Sequence, residues 1–177
     1  MDVNTGDYSK VGISEVRVGI SGPQRLSNPE AWPWVRQEMR DQISALSQPV
    51  IGITSLAVGA DSLFAEIVLE LGGTLEVIVP FSDYEMRFKS EEDRENYRRL
   101  LARAEKVEIL QADGTDEEAY YAAGKRVADL SDLLVLVWEG RPAAGLGGTA
   151  DIAEYARQCH KSMIHINPLV FSVTRTN

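Results

Sequence analysis

The chain has 177 residues, the size of one domain, and its 44% hydrophobic and 25% charged content fits an ordinary globular fold. Its 18 Lys and Arg against 27 Asp and Glu leave a formal charge of −9. That argues against a broad basic nucleic-acid surface and a polybasic membrane anchor, so neither nucleic acid nor a membrane is expected as a partner. A phosphate-bearing small ligand stays open, because backbone N–H groups at a helix start hold a phosphate without net positive charge. The single cysteine, Cys159, and two histidines, His160 and His165, offer no disulfide framework and a poor metal set. No metal or resident cofactor is expected. The polar, acidic first residues have no apolar leader core, so a cytoplasmic chain is expected.

In chain order, residues 1–14 are polar and read as a loose arm. An apolar run at 16–20 is the first strand, followed by Gly19-Ile-Ser-Gly-Pro-Gln-Arg25. Asn28-Pro29-Glu30 opens a helix whose apolar positions are Val35, Met39, Ile43 and Leu46. Trp32 and Trp34 flank Pro33 at its start and cover the pocket or fill a subunit interface, the interface being preferred. The second strand, 50–53, leads through Thr54-Ser-Leu-Ala-Val-Gly-Ala-Asp61 into a helix with Leu63, Phe64, Ile67, Val68 and Leu71 on one face. Gly72-Gly73 ends it. A third strand at 75–79 ends on Pro80-Phe81.

Ser90-Glu91-Glu92-Asp93 starts a third helix with acids in its first turn. The charged stretch 87–103 reads as its solvated face. Val107-Glu108-Ile109 alternates, as an edge strand with one wet face would. Tyr120, Ala123, Val127 and Leu130 mark a fourth helix. Residues 133–138 are continuously apolar, as a central strand covered on both faces should be. Glu139-Gly-Arg-Pro-Ala-Ala-Gly-Leu-Gly-Gly-Thr149 leads into a fifth helix with Ile152, Ala153 and Ala156. A sixth strand follows at 163–166, then a tail at 169–177, also expected to be loose. Cys159 is expected to pack late on the fifth helix.

Strands alternating with helices predict one α/β domain over 1–177. Its fold class is a three-layer, doubly wound, mainly parallel sheet of about six strands. The chain is expected to run outward through four strands and return beside the first with the fifth. Open α/β sheets bind ligands at the carboxyl ends of the strands at such a reversal. Small residues collect at the ends of the three strands expected to be central. Each glycine loop alone is explained by turn geometry; three converging loops point to a pocket. Gly147-Gly148-Thr149 before a helix aims free N–H groups at an anion. The spacing is neither G-x-G-x-x-G nor G-x-x-x-x-G-K-[ST], which disfavours a dinucleotide-type Rossmann protein and a P-loop NTPase.

Ser21-Gly22-Pro23-Gln24-Arg25-Leu26, Ser55-Leu-Ala-Val-Gly59-Ala-Asp61, Val79-Pro-Phe81, Trp138-Glu-Gly140 and Gly147-Gly-Thr-Ala-Asp151 together resemble the SLOG superfamily. This Rossmann-like group contains the LOG phosphoribohydrolases, the DprA proteins and nucleotide-sensing domains. The resemblance spans about 16–168 and implies a nucleotide or nucleotide-derived ligand and a homodimer; since one sheet and its helices take up nearly the whole length, a sensor's effector is expected to be a separate protein.

LOG enzymes carry a catalytic Glu three residues after the Thr of a P-G-G-x-G-T motif, and a catalytic Arg nine residues before the Asp opening the fifth strand. The matching positions here are Ile152 and Ala123, so LOG-type hydrolysis is not expected. A nucleoside-monophosphate N-glycosidase using Asp151 or Glu139 is the alternative, since a carboxylate would be needed against an oxocarbenium-like state. A partner-binding domain with a vestigial pocket is the second alternative.

The expected ligand-binding residues are Ser21, Gly22, Arg25, Ser55, Gly59, Asp61, Phe81, Tyr121, Glu139, Gly140, Gly147, Gly148, Thr149 and Asp151. Each has a plainer reading. Arg25 reaches a phosphate or forms a surface ion pair. Asp61 binds ribose or complements a helix dipole. Tyr121, in a Tyr-x-x-Gly pattern that the family shows, stacks on a base or packs on the sheet; packing is slightly favoured. Phe81 flanks the base or belongs to the core. Glu139 and Asp151 accept from ribose hydroxyls, or serve as a loop acid and a dipole partner.

Overall fold

The computed structural model describes residues 14–111, 114–142 and 146–177; residues 1–13 of the expected arm lie outside the described residues. The strands are β1 (Val16–Ser21), β2 (Val50–Thr54), β3 (Thr74–Val79), β4 (Lys106–Ile109), β5 (Leu133–Val137), β6 (Ser162–Asn167) and β7 (Ser172–Thr176). The helices are α1 (Trp32–Ser44), α2 (Ala60–Glu70), α3 (Glu91–Leu101), α4 (Asp116–Leu130) and α5 (Thr149–Gln158). All seven strands form one sheet in the order β4-β3-β2-β1-β5-β6-β7. Every pairing is parallel except β6 with β7. The order reverses between β1 and β5, as expected.

Strand periodicity sorts the core into two layers. Val18, Ile20, Val77, Val135 and Val137 meet Val35, Met39 and Ile43 of α1, Phe64, Ile67 and Val68 of α2, and Leu100 of α3. Ile53, Ile78, Leu134 and Leu136 face the other way, onto Ala123 and Val127 of α4 and Ile152 and Ala156 of α5. The β5 side chains alternate between layers, which is why its sequence is apolar without a break. Local signals set the helix ends. Ser90 accepts from Asp93 N–H at 3.1 Å, and Thr115 with Glu118 forms a capping box on α4. Gly72, at φ 80°, closes α2.

Three expectations change. The tail is not loose: Ser172–Thr176 is β7, an antiparallel edge strand that makes the strand count seven. The alternation of β4 is inverted, because Val107 and Ile109 are exposed while Glu108 turns inward to Arg126 of α4, at 3.0 Å. Cys159 is exposed just past α5 rather than packed. Trp34 meets Phe171 of the β6–β7 turn edge-on at 5.1 Å.

Candidate functional site

The loops after β1, β2 and β5 converge on a cavity of about 510 Å³ at the β1–β5 reversal. Backbone constraints place them there. Gly22 threads between α2 and β5: a Cβ on it would strike Ala60 Cβ and come within 3.0 Å of Val137 Cβ. Gly59 has φ 92°, and a Cβ there would lie 2.5 Å from the Pro23 carbonyl oxygen. Ala60 N–H donates to that same oxygen at 3.1 Å. Both glycines are therefore demanded by the close passage of one loop over the other.

Asp61 sits in the first turn of α2, only 7% exposed. Its carboxylate accepts from Ser55 N–H at 3.1 Å and from Thr54 Oγ1 at 3.3 Å. Burial pushes its pKa up to about 7; the donors from Ser55, Thr54 and Ala57 pull the other way and only partly offset it. Asp61 lines the cavity, yet it chiefly folds the β2–α2 loop beneath it.

Glu139 is likewise engaged. Its two oxygens accept from Ser27 N–H at 2.8 Å and Ser27 Oγ at 2.5 Å, with Arg141 Nε at 3.7 Å. The Ser27 hydroxyl, above all, holds its pKa below the usual carboxylate value. Glu139 thus clasps the β1–α1 connection to the end of β5.

The start of α5 differs. Asp151 does not face the cavity; its Oδ2 accepts from Gly147 N–H at 3.0 Å and tightens the turn. Gly147, at φ 87°, packs against the α4 backbone, where a Cβ would lie 3.0 Å from Tyr121 N. The N–H groups of Gly148, Thr149 and Ala150 have no acceptor among the described residues, and all three residues line the cavity.

Of the expected residues, Ser21, Gly22, Arg25, Ser55, Asp61, Glu139, Gly147, Gly148 and Thr149 come together around the cavity; Gly59, Phe81, Tyr121, Gly140 and Asp151 do not line it. Gly140, at φ 79°, turns the chain after β5. Tyr121 packs on the α4–α5 layer under Lys125 Nζ, 4.7 Å from its ring. Phe81 backs the wall, 5.7 Å from the rings of both Tyr84 and Tyr120.

Those two tyrosines do line the cavity and were not anticipated. Tyr120 is one residue from Tyr121, and one residue is about 100° of helix. Tyr84 lies in a 3₁₀ turn after β3, where strand and α-helix periodicity are silent. Burial, and secondarily the nearby Asp61, raises the Tyr84 phenol pKa well above its ordinary value. Ala123 and Ile152 are also in the wall, 1% exposed each. A second cavity of about 400 Å³ adjoins the first and shares Gln24, Arg25, Tyr84 and Tyr120 with it.

No family model matches the chain, and no curated protein matches it by sequence. Solved structures do. DNA processing protein A from Helicobacter pylori superposes with a TM-score of 0.58 at 18% identity, over 90% of this chain and 68% of that one. DNA processing protein A (DprA) from Streptococcus pneumoniae gives 0.60 at 14% identity, over 85% of this chain. The molybdenum cofactor carrier protein of Chlamydomonas reinhardtii gives 0.52 at 17% identity, over 86% of this chain and 76% of that one. The chain shares the Rossmann-like α/β fold of these structures. At these identities the likeness is one of fold, and the chain spans half the length of the pneumococcal structure.

This likeness corrects one expectation. The H. pylori protein is described by its single-stranded DNA binding mode, so a net charge of −9 does not exclude nucleic acid on this fold. Net charge sums the whole surface, whereas a strand meets one groove, and the second cavity here is lined by Arg25, Arg87 and Lys89. Among the described residues no helix is long and apolar enough to cross a membrane.

Proposed function

We propose that the chain binds a nucleotide or nucleotide-derived small ligand in the cavity at the ends of β1, β2 and β5. One observation carries this reading: residues at the start of α5 whose N–H groups have no acceptor among the described residues line the same cavity as Tyr84 and Tyr120, at the sheet reversal. The phosphate sits on the N–H groups of Gly148, Thr149 and Ala150, with Arg25 at the mouth. The base lies against Tyr84 and Tyr120.

Catalysis is not part of this reading. Glu139 has both oxygens on Ser27, Asp151 is turned to Gly147, and the wall positions Ala123 and Ile152 are apolar. None of these four offers an uncommitted carboxylate to an oxocarbenium-like state.

A thermal-shift panel of nucleoside mono-, di- and cyclic phosphates tests the proposal, because a ligand specific to the folded state raises its stability by RT ln(1 + [L]/Kd), about 2.7 kcal/mol at a hundredfold excess over Kd. Gly148→Trp, at an ordinary φ of −69°, is expected to abolish the shift while leaving the unliganded melting temperature close to the parent's. Absence of any shift at millimolar nucleotide favours a partner-binding domain with a vestigial pocket. Release of free base, lost in Glu139→Gln or Asp151→Asn, would establish the glycosidase instead.

A further inference from the structure

The second cavity carries an inference that rests on the nucleotide reading and narrows it. Its wall holds three cations, Arg25, Arg87 and Lys89, beside the rings of Tyr84, Phe88 and Tyr120. The Arg87 guanidinium is already committed to Asp116 at 2.6 Å and Asp83 at 3.3 Å. Arg25 and Lys89 form no ion pair with any described residue. Arg103, Lys125, Lys161 and Arg175 likewise form no ion pair among the described residues, so what distinguishes Arg25 and Lys89 is that both border one groove. The one acid in its wall, Asp93, accepts from Ser90 Oγ at 2.7 Å and so is partly satisfied by α3 itself.

The two cavities share Arg25, Tyr84 and Tyr120. A ligand running from one to the other would pass a cation at the joint and an aromatic face on its way to Lys89. We infer that the natural ligand carries two separated anionic groups: it is of the dinucleotide class, one phosphate-bearing half on the start of α5 and the other in the Arg25–Lys89 groove. A nucleoside monophosphate would fill the first cavity alone.

The test is isothermal titration of the full chain with adenosine 5′-monophosphate and with the dinucleotide 5′-phosphoadenylyl-(3′→5′)-adenosine, whose two phosphates are separated by a ribose, on the parent and on Lys89→Ala. The dinucleotide is expected to bind the parent at least about tenfold more tightly than the monophosphate. Lys89→Ala is expected to remove about that factor for the dinucleotide, the scale of one charge-assisted contact, and to leave the monophosphate affinity unchanged. Equal affinities in the parent, or an equal loss for both ligands in Lys89→Ala, would overturn the two-group ligand while leaving the nucleotide site standing. If neither nucleotide binds the parent, the nucleotide reading fails and this inference with it. A short oligodeoxythymidylate binding more tightly than the dinucleotide, and weakened by Lys89→Ala, would make the groove a strand path and overturn the inference.

Discussion

Two helices begin at the rim of the same cavity, each after a glycine and each with an aspartate in its first turn, and they behave differently. At the start of α2 all but the Asp61 N–H have acceptors. Ala60 donates to Pro23, Ser62 to Ala57 and Leu63 to Gly59, while Asp61 is buried and gathers the β2–α2 loop. At the start of α5, Asp151 reaches back only to Gly147. The N–H groups of Gly148, Thr149 and Ala150 stay without an acceptor among the described residues. The same local sequence device is a structural knot in one place and an open anion site in the other. What separates them is the neighbouring loop: the β1 loop lies on α2 and takes the Ala60 N–H, while the described residues place no comparable segment on α5.

Substitutions at matched positions break or sharpen this contrast. The largest effect is expected from Gly59→Ala, where a side chain meets φ 92° and a carbonyl oxygen 2.5 Å away; a loss of about 3 kcal/mol should appear in urea unfolding. Its counterpart Gly148→Ala, at φ −69° and ψ 166°, should cost under about 1 kcal/mol. Equal costs would remove the distinction between the two helix starts.

Asp61→Ala should cost about 2 kcal/mol, because it strands buried donors of the β2–α2 loop. Asp61 also gives stability a pH dependence. The folded state holds the Asp61 proton up to about 7, whereas the unfolded chain releases it near 3.8. Its contribution is therefore complete below about 4, falls as pH rises towards 7, and is level above that. Unfolding midpoints across this range should show the fall in the parent, and Asp61→Asn should flatten it.

Ser27→Ala should cost about 1 kcal/mol by opening the clasp on Glu139. It should also raise the Glu139 pKa towards its ordinary value, readable by NMR titration. The smallest effect is expected from Asp151→Ala, about 0.5 kcal/mol, since one turn contact and a dipole interaction are lost. Nucleotide affinity should stay within about twofold. A large drop in affinity would put Asp151 on the ligand and close the gap between the two helices.

Much of the scaffold was legible in the chain because it depends on short-range pattern. The unbroken apolar run of β5, the 3.6-residue spacing on α1 and α2, and Ser90 before three acids each declare an element locally. The sheet order followed, since an outward run with one return leaves few arrangements. Three loops rich in small residues also marked which strand ends mattered. The sequence by itself therefore determined the first six strands, the five helices, their order and the end of the sheet where the cavity lies.

Tertiary structure decided which side chains occupy that cavity. Whether Tyr120 or Tyr121 faces it is a question of helix phase, fixed by how α4 seats on α5 through Gly124 and Ile152. Whether Glu139 is available to a ligand depends on Ser27, 112 residues earlier. Whether 169–177 is a tail or a strand depends on an exposed β6 edge that accepts it. Whether the charge excess forbids a nucleic-acid or polyphosphate partner depends on where Arg25 and Lys89 stand, not on the sum. Local pattern encodes backbone conformation because the forces that set it act within a few residues. The commitments of polar groups are settled between segments distant in the chain, and only the folded arrangement brings those segments together.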